Sequence, residues 1–166
     1  MNNVEWTPEW LAETIKLLRT HGSDTQFIEV KKAHGGYPGS LDATLSSFSN
    51  SSTGGIIICG LDENNDFAPV GVYDPADLEK TLGNKLRRGL KPPNTMESGT
   101  ILYEDAKIFV AAIPPLPPYE RPAYIGGKAY VRSGDGDHEM SRHETDLMVA
   151  QRTRTGFDEE PVEYTS

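Results

Sequence analysis

The chain has 166 residues, 36% of them apolar, with a mean hydropathy of −0.52 and a net charge of −9. That length suits one domain with one core, no apolar run approaches the ~20 residues of a membrane span, and the single cysteine, Cys59, excludes a disulfide scaffold or a cysteine-rich zinc site. The acidic balance speaks against a generic nucleic-acid coat protein and leaves room only for a local basic patch.

Thr7-Pro8-Glu9 sets a capping hydroxyl before a proline at the first helical position. Trp10, Leu11, Ile15 and Leu18 follow at helical spacing, which predicts a helix from about Pro8 to Thr20, ended by His21-Gly22-Ser23. Phe27 to Ala33 reads as a strand and His34 to Gly39 as a loop. Leu41, Leu45 and Phe48 share a face of a second helix that begins at Ser40 and ends in the turn-rich stretch Ser49 to Gly55. Ile56 to Leu61 is a continuous apolar run, the mark of a central strand buried on both faces. Cys59 lies within it and is expected to be a buried thiol. Phe67 to Tyr73 reads as a further strand, a hairpin partner of that run.

Asp74-Pro75 opens a third helix reaching about Arg88, with Leu78, Leu82 and Leu86 on its inner face. Thr100 to Glu104 and Lys107 to Ile113 predict two strands about a tight turn. Pro114 to Pro118 must be an extended connection, because proline lacks the N–H that strand or helix interiors need. Tyr124 to Arg132 reads as a Gly126-Gly127 turn leading into a strand, and Gly134 to Asp137 as a loop. Ser141 and Glu144 form a capping box for a last helix to about Arg152. The predicted fold is α/β (α+β): a central mixed, largely antiparallel sheet with packed helices.

Glu29 and Lys31 lie two apart on a strand and therefore share a face. The plain reading is an exposed ion pair of little energetic consequence. The sharper reading adds Asp24, five residues earlier, and Asp62, just past the apolar run. Carboxylates from two neighbouring strands beside a lysine suit a Mg²⁺ or Mn²⁺ ion held against a phosphate. Lys85, Arg87, Arg88 and Lys91 form a basic cluster that also suits a helix C-terminus. Gly54-Gly55 is not a phosphate loop, since it precedes a strand and no Gly-Lys-Ser/Thr follows. His138, beside Asp135 and Asp137, reads as a surface-loop residue in preference to a metal ligand.

Four stretches, in order, resemble the Schlafen family's Alba-like domain: Phe27 to Lys31, Leu45 to Asn50, Gly54 to Glu63, and Ala129 to Gly134. The resemblance runs from about Ser23 to Glu144, which sets an N-terminal helix (1–22) and an acidic, flexible tail (154–166) around a domain spanning 23–153. It implies a mixed α/β fold of bacterial type, found as a module of transcriptional regulators or ATP-binding proteins. In animal Schlafens a similar core is a metal-dependent RNase acting on structured RNAs such as tRNA. Carried over, its three acids fall on Asp24, Glu29 and Asp62, with Lys31 beside them and a divalent ion as cofactor. The first acid is Asp where Glu is usual.

The leading expectation is a nucleic-acid-binding domain. DNA or RNA phosphates would meet Lys31, Lys32, Arg87, Arg88, Lys91 and Arg132, and Tyr37 would stack on a base. The alternatives are a Mg²⁺/Mn²⁺-dependent endoribonuclease and a protein-interaction module that docks Pro114 to Pro118. A homodimer is implied by the paired copies that form the family's RNA groove. With no basic N-terminal region ahead of an apolar stretch, the expected location is the cytoplasm, away from membranes.

Overall fold

The computed structural model describes residues 5–134 and 136–159, with side chains through Arg152. The acidic tail side chains of Asp158, Glu159, Glu160 and Glu163 lie outside the described part, as does Asp135. The first helix, α1 (Pro8–His21), is capped as its sequence dictates, with the Trp10 N–H donating to Thr7 Oγ1 at 3.1 Å. Then follow β1 (Ile28–Lys31), α2 (Leu41–Asn50), β2 (Gly55–Cys59), the two-residue strands β3 (Leu61–Asp62) and β4 (Ala68–Pro69), and α3 (Pro75–Asn84). A π-helical turn, Lys85–Gly89, extends α3 and leads to β5 (Leu90–Lys91). The chain continues with β6 (Glu97–Tyr103), β7 (Ala106–Ile113), β8 (Tyr124–Ile125), β9 (Lys128–Ser133), β10 (Gly136–Glu139) and α4 (Arg142–Glu159).

The main sheet has the order β1-β2-β7-β6, parallel at β1–β2 and antiparallel elsewhere, so it is mixed and largely antiparallel as predicted. Its faces follow strand alternation. Ile28, Val30, Ile58, Ile108 and Val110 pack with Leu11, Ile15 and Leu18 of α1. Ile57, Cys59, Phe109, Ala111 and Ile113 pack with Leu41, Leu45 and Phe48 of α2 and Leu78 and Leu82 of α3. With helices on both faces, β2 is buried along nearly its whole length, and burial pushes the Cys59 thiol up to about 12, which leaves it inert.

A second, antiparallel sheet, β10-β9-β8-β5, covers the far side of α2. Clasped between two sheets, α2 buries even its polar residues Thr44, Ser46, Ser47, Ser49 and Asn50. Gly54-Gly55 is set by this packing. A Cβ at Gly55 would collide with the Phe48 ring, and one at Gly54, where φ is +73°, with the Ile113 carbonyl.

Two expectations are corrected. Phe67 to Tyr73 meets the apolar run only at its end, where Ala68–Pro69 pairs with Leu61–Asp62; along Gly55–Cys59 the antiparallel partner is β7. Pro69 has no N–H to give a ladder, and positive φ at Asp66 and Phe67 turns the chain away from extended backbone. Gly134 to Asp137 is not wholly a loop, because Gly136–Glu139 pairs with Tyr130–Ser133. The Ser141–Glu144 capping box forms in both directions, at 2.8 and 3.1 Å.

Candidate nucleic-acid interface

Because both faces of the main sheet are covered, Glu29 and Lys31 are not an exposed pair. They point toward α2, and the Glu29 side chain is only 7% exposed. The Lys31 Nζ stands 3.7 Å from Glu29 Oε2. The closer partner of Glu29 is Arg132 on β9, whose guanidinium donates to Glu29 Oε1 at 2.8 Å and to Asp137 Oδ1 at 3.0 Å. Asp137 and Arg132 are cross-strand partners in the β9–β10 ladder, so register brings them to one face. Arg132 also donates to the carbonyls of Thr25 (2.8 and 3.1 Å) and Ile28 (3.1 Å) and lies over the Phe48 ring. All five of its N–H groups are thus used internally. Burial works against its charge, and Glu29 and Asp137 more than offset it. Arg132, expected at a phosphate, is instead a 2%-exposed strut between the two sheets.

Asp24 is buried beside this strut. Its Oδ1 accepts the Val30 N–H at 3.1 Å, while Thr25 Oγ1 accepts the Ile28 N–H at 3.0 Å. The outer edge of β1 is thereby closed by side chains, a common protection for an edge strand. The Asp24 N–H donates to Glu63 Oε2 at 3.2 Å, and the carboxylates of Glu29 and Glu63 both face the Asp24 carboxyl. Burial, followed by these two neighbours, pushes Asp24 up to about 10.

This carries a pH prediction. Folded Asp24 keeps a proton that the unfolded chain releases above its ordinary pKa of ~3.9, so the residue opposes stability increasingly as pH rises between the two values. Asp24→Asn, which keeps the hydrogen bonds and cannot ionise, is expected to match the wild type near pH 4 and exceed it by about 1–2 kcal/mol at pH 8. Thermal melting across that range checks it. Destabilisation at pH 8, or a pH-independent difference, would contradict it.

Among the described residues, Asp62 makes no hydrogen bond to Asp24 or Glu29; it is its neighbour Glu63 that accepts the Asp24 N–H. The Asp62 side chain caps the following turn, accepting the Asn64 N–H at 3.1 Å, and lies 3.9 Å from Lys32. Among the described residues, no group of three or more His, Cys, Asp or Glu side chains is arranged to hold a metal ion. One oxygen of each buried acid is already engaged, Asp24 Oδ1 by the Val30 N–H and Glu29 Oε1 by Arg132, while the Thr44 hydroxyl donates to Asp137 Oδ2 at 2.7 Å. In this arrangement Asp24, Glu29 and Asp62 do not fit a shared Mg²⁺ or Mn²⁺. His138 falls on β10, exposed.

Tyr37 is not free to stack on a base. Its hydroxyl donates to Asp42 Oδ1 at 2.5 Å, its ring packs on the core, and Lys85 Nζ sits 5.5 Å from the ring centroid while bonding Asp42 at 3.2 Å. Burial, then the Asp42 carboxylate, holds its phenol above the ordinary tyrosine range. The exposed aromatic near the acidic pair is Phe27, which lies outside the strand expected to contain it.

The remaining cations behave differently. In the π-helical turn Leu86 is buried while Arg87 and Arg88 stand exposed, followed by exposed Lys91. With Lys80 two helical turns before Arg87, they form an exposed ridge. Among the described residues, none of these four side chains makes an ion pair or hydrogen bond. Lys80 stands outside the run of cations that begins at Lys85, so local clustering does not reveal it. Its spacing of seven from Arg87 is the signal that could.

Two sheets clasping one helix, with a structural ion network inside and a cationic ridge outside, define an α+β domain. The chain belongs to the Schlafen AlbA_2 family, whose model matches residues 24–141. No curated protein sequence matches the chain. The fold is similar to that of the N-terminal domain of a RecG-related protein from Nitrosomonas europaea, with 23% identity over 79% of this chain and 94% of that one and a TM-score of 0.60. It is also similar to the DIP2311 protein from Corynebacterium diphtheriae, with 15% identity and a TM-score of 0.57 over 86% of this chain. The match covers only 32% of the DIP2311 chain. Among the described residues, no helix is long and apolar enough to cross a membrane.

Proposed function

We propose that this is a nucleic-acid-binding domain that grips a phosphate backbone along Arg87, Arg88 and Lys91, with Lys80 extending the row. The observation that carries this reading is the ridge itself. A chain of net charge −9 exposes four neighbouring cations with no partner of their own among the described residues. Such side chains are available to replace the counterions of a polyanion. Family membership supports the reading, as does likeness to a domain of a protein named for an ATP-dependent DNA helicase. Lys32, 58% exposed and only loosely paired with Asp62, is a secondary contact.

Phosphate contacts of this kind position a backbone without reading sequence. Binding is therefore expected to depend on salt and to be tolerant of sequence. Fluorescence anisotropy with labelled DNA and RNA at low salt tests this. Retention that weakens as salt rises, and is lost in the Arg87→Glu/Arg88→Glu/Lys91→Glu variant, is the expected result. Absence of binding at low salt would overturn it. The endoribonuclease alternative would draw on Glu29, Asp24 and Asp62, which here engage Arg132, the Val30 N–H and the Asn64 N–H.

A further inference from the structure

A cavity of about 520 Å³ opens beside the ridge, between α3 and the segment from Asn94 to Ser98. One of its walls is built by α3 and the π-helical turn that extends it: Lys80, Gly83 and Asn84 fall at positions i, i+3 and i+4, and the π turn brings Arg87 to the same wall. Gly83, at the centre of this wall, leaves the space open. The opposite wall carries Thr95 and the half-buried Met96. The side chains of Asn84 and Thr95 have no hydrogen-bond partner among the described residues, whereas Glu79, at the β6 end, is occupied by Ser98 at 2.8 Å. The cavity thus offers two unpaired cations at one end, two free polar groups and one soft apolar contact, with the Glu79 carboxylate confined to the β6 end by Ser98, within the ~300–1,000 Å³ typical of ligand sites.

We propose that this cavity receives one unpaired nucleotide of a bound strand, its phosphate held by Lys80 and Arg87 and its base laid against Met96. The cations require an anionic group. The polarizable thioether suits an aromatic ring, and the free amide and hydroxyl suit the hydrogen-bonding edge of a base. A duplex keeps its bases stacked inside and cannot place one here, so the cavity discriminates single strands from duplexes. The inference rests on the nucleic-acid reading above and adds the form of the ligand.

The test compares a labelled oligothymidine with the duplex formed by the same strand and oligoadenosine, by anisotropy at low salt. The wild type is expected to bind the single strand about tenfold more tightly. Gly83→Leu should remove that preference and leave duplex affinity unchanged. The position has ordinary helical backbone, and a Cβ there meets only Met96 Cε, at 3.9 Å, so leucine projects into the cavity without disturbing the helix. Thr95→Leu, which fills from the other wall, should act alike, and Arg87→Glu should weaken both ligands. Equal wild-type affinities, or a preference that survives both fillings, would overturn the inference while leaving backbone binding intact. Failure to bind either ligand would overturn both readings.

Discussion

Arg132→Met is expected to destabilise the protein by about 3–5 kcal/mol, the usual cost of removing one partner from a buried ion cluster. The substitution would strand Glu29 and Asp137, 7% and 10% exposed, without their cation, and would leave the inward carbonyls of Thr25 and Ile28 without these donors. Lys31 stays too far from Glu29, at 3.7 Å, to replace a bond of 2.8 Å. Urea unfolding measures the change directly. A loss of less than about 1 kcal/mol would show that the guanidinium is solvated and the network incidental. Glu29→Gln should be milder, since Asp137 still faces the arginine.

Asn50→Leu is expected to cost about 2–4 kcal/mol, because it orphans backbone groups of the second sheet. The Asn50 Oδ1 accepts the buried Ala123 N–H at 2.7 Å, and its Nδ2 donates to the Tyr130 carbonyl at 3.0 Å. Ser46, one turn earlier, donates to the Ala123 carbonyl and accepts the Tyr130 N–H. These two side chains fasten α2 to β9 and to the residue that leads into β8. Native-state hydrogen exchange should show the Ala123 and Tyr130 amides losing protection in the variant before those of β2 do. Uniform loss across both sheets would mean that they unfold as one unit.

Arg132 and Asn50 also show where sequence reading stops. Helices α1, α2 and α3 and the β6–β7 hairpin are legible, because periodicity and capping are local signals. The role of Arg132 is not legible. Its carboxylate on β1 is more than a hundred residues away, and the strand holding Asp137 is written in loop-like polar letters, Gly136-Asp137-His138-Glu139. Pairing with β9, rather than local propensity, makes that stretch a strand.

By sequence, the stretch around Glu29 suits an exposed pair or a metal centre. In the fold it is not an exposed pair, because the second sheet supplies a buried cation, Arg132, that the local sequence does not reveal. Asn50 reads by sequence only as the end of a helix. A helix buried between two sheets needs polar residues on the face that meets strand ends, and that need arises only once the sheets are in place.

An inward ionic network holds the two sheets together, and an outward ridge is proposed to meet a polyanion. The most direct test of the second half is the salt dependence of DNA binding in the wild type and in the Arg87→Glu/Arg88→Glu/Lys91→Glu variant, with unfolding curves confirming that both are folded. Each phosphate contact contributes about 0.9 to the slope of log K against log salt concentration. The variant's slope should therefore be shallower by about 3. An unchanged slope, with affinity retained, would place the nucleic acid elsewhere on the molecule and contradict the proposed role of the ridge.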